Sequence, residues 1–448
     1  MKKTVTVLII IVLVVGILVG GGIIAFNYGM KSINDDMVEN YARAMVRYVP
    51  KSLITYPFKS KTNASVDAAL AKTGGFIKGI CHPRNDYELI KGAGIEWNRA
   101  DIPFPFDADG EIRQEYLDWK VRMQAFKDNG IEIMAVTPYP NEYNTHGIDP
   151  RDRGNEGRIK EVAAFLIKDL KDIIRAVQVT NELGMPRFLY PLKTAEDAVW
   201  FMGIHFEAIH PHKGDIIVGY NSAGPQPDHH VLMRPYHQYC DYIGVDIYAG
   251  CFSEPSGLMN QIQIFDICCA FLWSYTGLPV IIAEFGYIGG GAPKTDAERL
   301  AVLQEYGYDS EAHARENIDE LIEKLPTNFQ SSVRRSVKTD TPEARADYIF
   351  SLMMRDHLYR EMPADVKIKG YPHTPQGQAD FYSYIIPRMA AKPYIIGMIV
   401  YSWSESARCY VCGFTDCPIE TKWGLVDYNQ TPKPAYYAVR DAFAQVNK

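Results

Sequence analysis

The sequence predicts an α/β protein: a (β/α)8 TIM barrel with a helical insertion between strands 7 and 8, preceded by an N-terminal transmembrane helix. Three observations carry this expectation. Eight short apolar runs alternate with helical stretches, a single uncharged segment follows the first three residues, and 448 residues that are 47% hydrophobic suffice for one large core.

The first element is the apolar segment. After Met1-Lys2-Lys3, residues Thr4 to Phe26 carry no charge. A helix of that length rises about 35 Å, enough to cross a hydrocarbon layer of roughly 30 Å. A cleaved signal peptide has a shorter apolar region and a small-x-small site, and "GILVGGGIIAFN" offers no convincing one. An uncleaved single-pass anchor over 1–26 is therefore favoured, with secretion after cleavage as the alternative. Lys2 and Lys3 stay cytoplasmic and the remainder lies outside. Residues 27–73 read as a stalk: an amphipathic helix capped by Ser32 or Asn34, then a linker carrying the sequon Asn63-Ala64-Ser65.

The barrel occupies 74–448. Its apolar runs are 76–81, 95–101, 131–136, 176–180, 215–220, 242–248, 279–285 and 395–403. Runs this hydrophobic are buried on both faces, as parallel strands covered by helices are. Helical candidates lie between them at 115–129, 159–173 and 198–210. The span exceeds the ~250 residues of a plain barrel, so insertions are required. The largest is 287–394, helical by pattern.

Composition excludes several classes of function. A net charge of -7 and no Lys/Arg block beyond the N-terminus argue against nucleic acid. One visible span excludes a channel or transporter. The histidines do not form the His-x-His of a metal-dependent barrel, since "GICHPR" supplies one. Aromatic content is high, with 29 Tyr, 19 Phe and 6 Trp, which suits core packing and also the flat C–H faces of sugars.

Barrel enzymes work at the C-terminal ends of their strands. Polar or aromatic groups close five of the eight runs: Asn98-Arg99, Asn181-Glu182, Tyr248, Glu284 and Trp403. Each alone has a plain structural explanation as a helix cap, an ion-pair partner or a core cap. Their joint occurrence, with acids closing the fourth and seventh runs, does not.

Together, "VQVTNEL", "PVIIAEFG", "IVYSWSE", "GAGIEWNRADIPF" and "WGLVDYNQTPKPAYYAV" resemble the clan of (β/α)8 retaining glycoside hydrolases that includes cellulases, β-mannanases and endo-galactanases. The resemblance covers about residue 74 to the C-terminus except 287–394. It implies Glu182 as acid/base and Glu284 as nucleophile. Several families of the clan place a histidine at the end of strand three; here "TPYP" puts Tyr139 there.

The chemistry agrees with this assignment. Glycoside cleavage needs a proton for the leaving oxygen and a nucleophile at the anomeric carbon. Glu182 must hold a proton, which a neighbouring carboxylate promotes, and Glu284 must stay ionised, as Arg99 and the Tyr248 hydroxyl favour. Asn181 is suited to a sugar 2-hydroxyl, Trp403 to the floor beneath the ring, and His82 to reaching the site from strand one. Tyr143, Tyr220 and Tyr287 are further candidates for neighbouring subsites. No cofactor and no catalytic metal is expected, and the expected partners are an oligo- or polysaccharide substrate and the membrane. The alternative function is a catalytically silent carbohydrate-binding barrel. Cys409, Cys412 and Cys417 cluster after the eighth run, with Cys251 as a possible fourth. Outside the cell disulfides are the default, and a four-thiolate zinc site is the sharper alternative.

Overall fold

The computed structural model describes residues 64–254, 257–336 and 341–446. Its centre is a closed parallel barrel in which each strand pairs with the next and the eighth with the first. The strands are β1 (Ile77–Cys81), β2 (Trp97–Asp101), β3 (Glu132–Val136), β4 (Ala176–Gln178), β5 (Ile217–Ala223), β6 (Tyr242–Ile247), β7 (Val280–Phe285) and β8 (Ile395–Val400). All eight coincide with the expected runs. Each is buried over nearly its whole length, which is why the sequence shows continuous apolar stretches rather than alternation.

The principal helices are α1 (Ala64–Thr73), α2 (Gln114–Asp128), α3 (Glu156–Leu170), α4 (Ala195–Ile209), α5 (Ile264–Thr276), α6 (Asp296–Glu305), α7 (Thr327–Ser336), α8 (Leu352–Tyr359), α9 (Pro375–Ala390) and α10 (Pro434–Ala444). The outer ring forms because each helix has an apolar stripe. In α3, Ile159, Val162, Ala163, Leu166, Ile167 and Leu170 are buried, a three-and-four spacing that faces the sheet. The Thr194 hydroxyl accepts from the Asp197 N–H and starts α4, while Gly277 at φ +74° ends α5 where a side chain would be strained.

The stalk assigned to 27–73 ends earlier, because α1 is docked on the barrel: Val66, Ala69 and Thr73 are buried, and Lys72 pairs with Asp241 at 3.2 Å. The segment 287–394, expected to hold the insertion and the approach to strand 8, divides at α9. α9 packs against β8 and α10, as a barrel's own helix does, leaving the intervening helices as the insertion. That insertion is pinned by a fully buried carboxylate. Glu361 receives Arg299 Nε at 2.7 Å and Nη2 at 3.0 Å, and the Lys294 N–H at 2.8 Å. The expected membrane helix and the sequon asparagine lie outside the described residues. Among the described residues no helix is long and apolar enough to cross a membrane.

The barrel lumen changes character along its axis. Lower down, Tyr242 reaches across it, its hydroxyl donating to the Val177 carbonyl at 3.0 Å. Gly219 leaves room for that ring: a Cβ there would stand 2.4 Å from the Tyr242 carbonyl oxygen. Nearer the C-terminal ends the lumen turns polar, with buried Arg99, Gln178, Asn221, Asp246 and Glu284.

Gly219→Ala should overpack the β5–β6 contact and destabilise the barrel by about 1–3 kcal/mol. The midpoint of urea denaturation reads this directly, and an unchanged midpoint would contradict so close an approach.

Candidate active site

The site is organised around Arg99, which is 2% exposed. β2 aims it into the lumen, where each nitrogen finds an acceptor. Nη1 donates to Glu284 Oε1 at 2.6 Å, Nη2 to Asn181 Oδ1 at 2.7 Å, and Nε to Gln178 Oε1 at 3.1 Å. Burial is the largest single influence and works against the charge, but Glu284, with Cys81, Asp246 and Asp101, together outweighs it and holds the guanidinium well above its ordinary range.

Glu284 lies at the end of β7, and the other edge of its carboxylate accepts from the Tyr248 hydroxyl. Burial, then the Glu284 charge, pushes the Tyr248 phenol well above its ordinary range, so it remains a donor. One cation and one phenol thus hold Glu284 with its charge compensated.

Asn181 and Glu182 follow β4 on an unusual backbone. Thr180 (φ +56°) and Glu182 (φ +47°) are in the left-handed region, which non-glycine residues rarely occupy. The surroundings fix them there. Thr137 Oγ1 accepts from the Thr180 N–H at 2.9 Å, and Asn221 Oδ1 from the Glu182 N–H at 2.9 Å. This turn presents Glu182 at the mouth of the barrel. Strain held by its neighbours is characteristic of functional sites.

The orientation of the Asn181 amide is equally determined. Its oxygen takes three donors: Arg99 Nη2, Gln178 Nε2 at 3.2 Å and Asn221 Nδ2 at 2.6 Å. The oxygen is therefore saturated. Its NH2 group, with no partner among the described residues, is left to face a ligand.

A third carboxyl joins the pair. Asp246 on β6 lies beside Glu284 in the sheet register, accepts from Asn221 Nδ2 at 2.5 Å and hydrogen-bonds Glu182. Burial, then the charges of Glu284 and Glu182, raises it well above the ordinary carboxylate range. Asp246 is thus the carboxyl of the site whose surroundings favour its neutral form. Asp246, Asn221 and Gln178 were not among the residues singled out from sequence. The available signal was a lone acid or amide inside an otherwise apolar strand.

The structure does not bring every expected residue to the centre. Trp403 is fully buried, its indole N–H donating to Gln430 Oε1 at 2.8 Å and its ring edge-on to Tyr436. It offers no open face to a sugar. Tyr401 is the partly open aromatic after β8, edge-on to Tyr248 at 5.7 Å and to Trp423 at 5.6 Å. His82 is exposed at the rim, edge-on to Tyr401 at 5.9 Å, beside a cleft of about 530 Å³ that Arg84, Asp101 and Arg122 help line. Tyr139 stacks on Phe188, and its hydroxyl donates to Asp101 Oδ1 at 3.3 Å, so it reaches the site's edge. Tyr143, Tyr220 and Tyr287 are core residues, bonded respectively to His205, to His230 and His237, and to the Tyr371 carbonyl.

All eight cysteines are free, which removes the expected disulfide. Cys251 stands apart, its thiol directed to the Ala249 and Gly286 carbonyls. Cys409, Cys412 and Cys417 do gather, and the fourth member is His357.

No model of a known family matches the chain, and no curated protein matches it by sequence. The solved structures similar to it include glycoside hydrolases. A family 39 glycoside hydrolase from the gut symbiont Bacteroides cellulosilyticus WH2 matches at 13% identity over 84% of this chain and 64% of that one, with a TM-score of 0.49. The GH53 catalytic domain of Ignisphaera aggregans matches at 14% identity over 86% and 95%, with a TM-score of 0.49. A Bacteroides uniformis β-glucuronidase matches at 13% identity over 82% of this chain and 35% of its own, with a TM-score of 0.48. The chain thus spans less than two thirds of the first and about a third of the last. At such identities no activity carries across.

The raised Asp246 makes a prediction about stability. A carboxyl whose folded pKa stands above its unfolded one favours the fold below the unfolded value, about pH 3.9, and loses that contribution as pH rises through the folded value. Asp246→Asn has no proton to surrender. Its melting temperature relative to wild type should therefore climb as pH rises from about 4 toward 8. Parallel curves for the two proteins would show that Asp246 is ionised in the fold.

Proposed function

We propose that the chain is a membrane-anchored retaining glycoside hydrolase that cleaves β-glycosidic bonds of an extracellular or envelope glycan by double displacement. The observation that carries this reading is the contrast between its two strand-end glutamates. Glu284 has its charge compensated by Arg99 and Tyr248, as a nucleophile requires. Glu182 is hydrogen-bonded to a buried carboxyl whose pKa is raised, surroundings suited to a general acid. Surroundings this different support catalysis over passive binding, because a sugar-binding barrel has no use for two glutamates held in opposite ways.

In the first step a Glu284 oxygen forms a bond to the anomeric carbon while the glycosidic bond breaks, and Glu182 gives its proton to the leaving oxygen. In the second, Glu182 takes a proton from water, whose oxygen displaces Glu284 with a second inversion. The free Asn181 NH2 donates to the 2-hydroxyl, a contact that strengthens as positive charge develops on the ring. Tyr401 and Tyr248 form the aromatic wall beside Glu284, backed by the buried Trp423. Asp246 positions Glu182 and maintains the proton it needs. The uncharged segment Thr4–Phe26, preceded by two lysines, supports an anchor with the barrel outside the cytoplasm.

A panel of β-linked oligosaccharides and aryl glycosides tests the roles. Glu284→Ala should abolish hydrolysis. Glu182→Ala should lower kcat/KM on unactivated substrates by about 10²–10⁴-fold. It should also accumulate glycosyl-enzyme from aryl glycosides, and added azide should release a β-glycosyl azide. An inverted first product by proton NMR, or near-normal activity in either variant, would remove the two residues from these roles.

A further inference from the structure

We infer that His357, Cys409, Cys412 and Cys417 form a structural zinc site that fastens the insertion to the loop after β8. Their ligand atoms all lie within 4.8 Å of one another, and all four residues are buried. Cys417 Sγ is 3.4 Å from His357 Nδ1, and Cys409 Sγ is 3.7 Å from it. Tetrahedral zinc, with Zn–S near 2.3 Å and Zn–N near 2.0–2.1 Å, requires S···N separations of roughly 3.5 Å. The observed distances bracket that value.

The local backbone is that of a metal-binding turn. Cys409 and Cys412 are separated by two residues and followed by Gly413 at φ +79°, a conformation that favours glycine. The Cys412 N–H donates to Cys409 Sγ at 3.3 Å, a contact that stabilises a thiolate in a ligand shell. The Gly413 N–H donates to the Cys409 carbonyl at 2.8 Å, and the Cys409 N–H to the Phe414 carbonyl at 2.9 Å, so the turn is closed on itself.

The protein places this turn where a fastener has purpose. His357 comes from α8 of the insertion, whereas the three thiols come from the loop that follows β8. The same seam is joined by Asn328 and Ser332 of α7, which donate to the Tyr410 and Val411 carbonyls, each at 2.9 Å. Arg360, just past α8, pairs with Asp416 beside Cys417 at 3.4 Å. Beyond Cys417 the chain reaches Glu420, which accepts from the Trp423 indole at 3.0 Å, and Trp423 packs edge-on to Tyr248. A metal here would hold the aromatic wall of the candidate site from behind. Three thiolates and an imidazole at tetrahedral spacing, fully enclosed, select zinc over the hard cations and leave no open position for catalysis.

The full chain, purified under reducing conditions, loaded with zinc and desalted, should hold about one zinc per chain by elemental mass spectrometry. Cobalt(II) should bind with the visible bands and sulfur charge-transfer absorption of a tetrahedral thiolate site. Cys412→Ser and His357→Ala should lose the metal, whereas Cys251→Ser should keep it. Stripping zinc from the wild type should lower its melting temperature, a readout independent of whether any variant folds. A wild type that takes up neither metal, a cobalt spectrum without thiolate bands, or a native disulfide among the three cysteines would overturn the assignment.

Discussion

A buried guanidinium must have both its charge and its N–H groups answered from within the fold, and the Arg99 side chain imposes that demand on the mouth of this barrel. Leaving either partner of a buried ion pair alone costs about 3–5 kcal/mol. The fold meets the demand with one carboxylate and two amides drawn from two strands. Glu284 on β7 supplies the charge, while Gln178 and Asn181, on and just after β4, supply the remaining acceptors. Positions of the site residues follow from this single side chain. Because Asn181 Oδ1 is committed to Arg99, its NH2 must point the other way.

The same demand separates the two glutamates electrically. Arg99 lies against Glu284, so Glu182 meets a different environment across the mouth, bordered by Asp246 and the amide of Asn221. Two like residues on one ring of strands thereby acquire unlike surroundings. The left-handed backbone at Thr180 and Glu182 is the local cost of this arrangement. Side-chain acceptors from β3's end and β5 hold it in place. The acid at this strand tip is held by Asp246, which hydrogen-bonds its carboxyl, and by Asn221, which accepts from its backbone N–H.

Much of this was legible in the sequence, for physical reasons. Parallel strands buried on both faces must be continuously apolar, so eight runs disclosed eight strands, and a lone Glu or Arg ending such a run stood out. Residues within a run were less visible. Asp246 and Gln178 sit two residues before the ends of their runs at Tyr248 and Thr180, where attention to termini misses them. Asn221 lay just past a run that stopped at Tyr220, although β5 continues to Ala223. The placement of Trp403 has a similar source. β8 ends at Val400, and beyond the last paired residue alternation no longer fixes which side chain faces the lumen, so Tyr401 faces it and Trp403 turns outward. His357 had no local signal at all, since its partners lie more than fifty residues away and only the tertiary fold joins them.

The most direct measurement of the central claim is to locate the covalent intermediate. A 2-deoxy-2-fluoro glycoside with a good leaving group, matched to a sugar that the protein hydrolyses, slows breakdown of the glycosyl-enzyme more than its formation. Intact-protein mass should then rise by one glycosyl unit, and peptide mapping should place it on Glu284. Hydrolysis of the parent glycoside with no adduct, or an adduct on any other residue, would contradict the account.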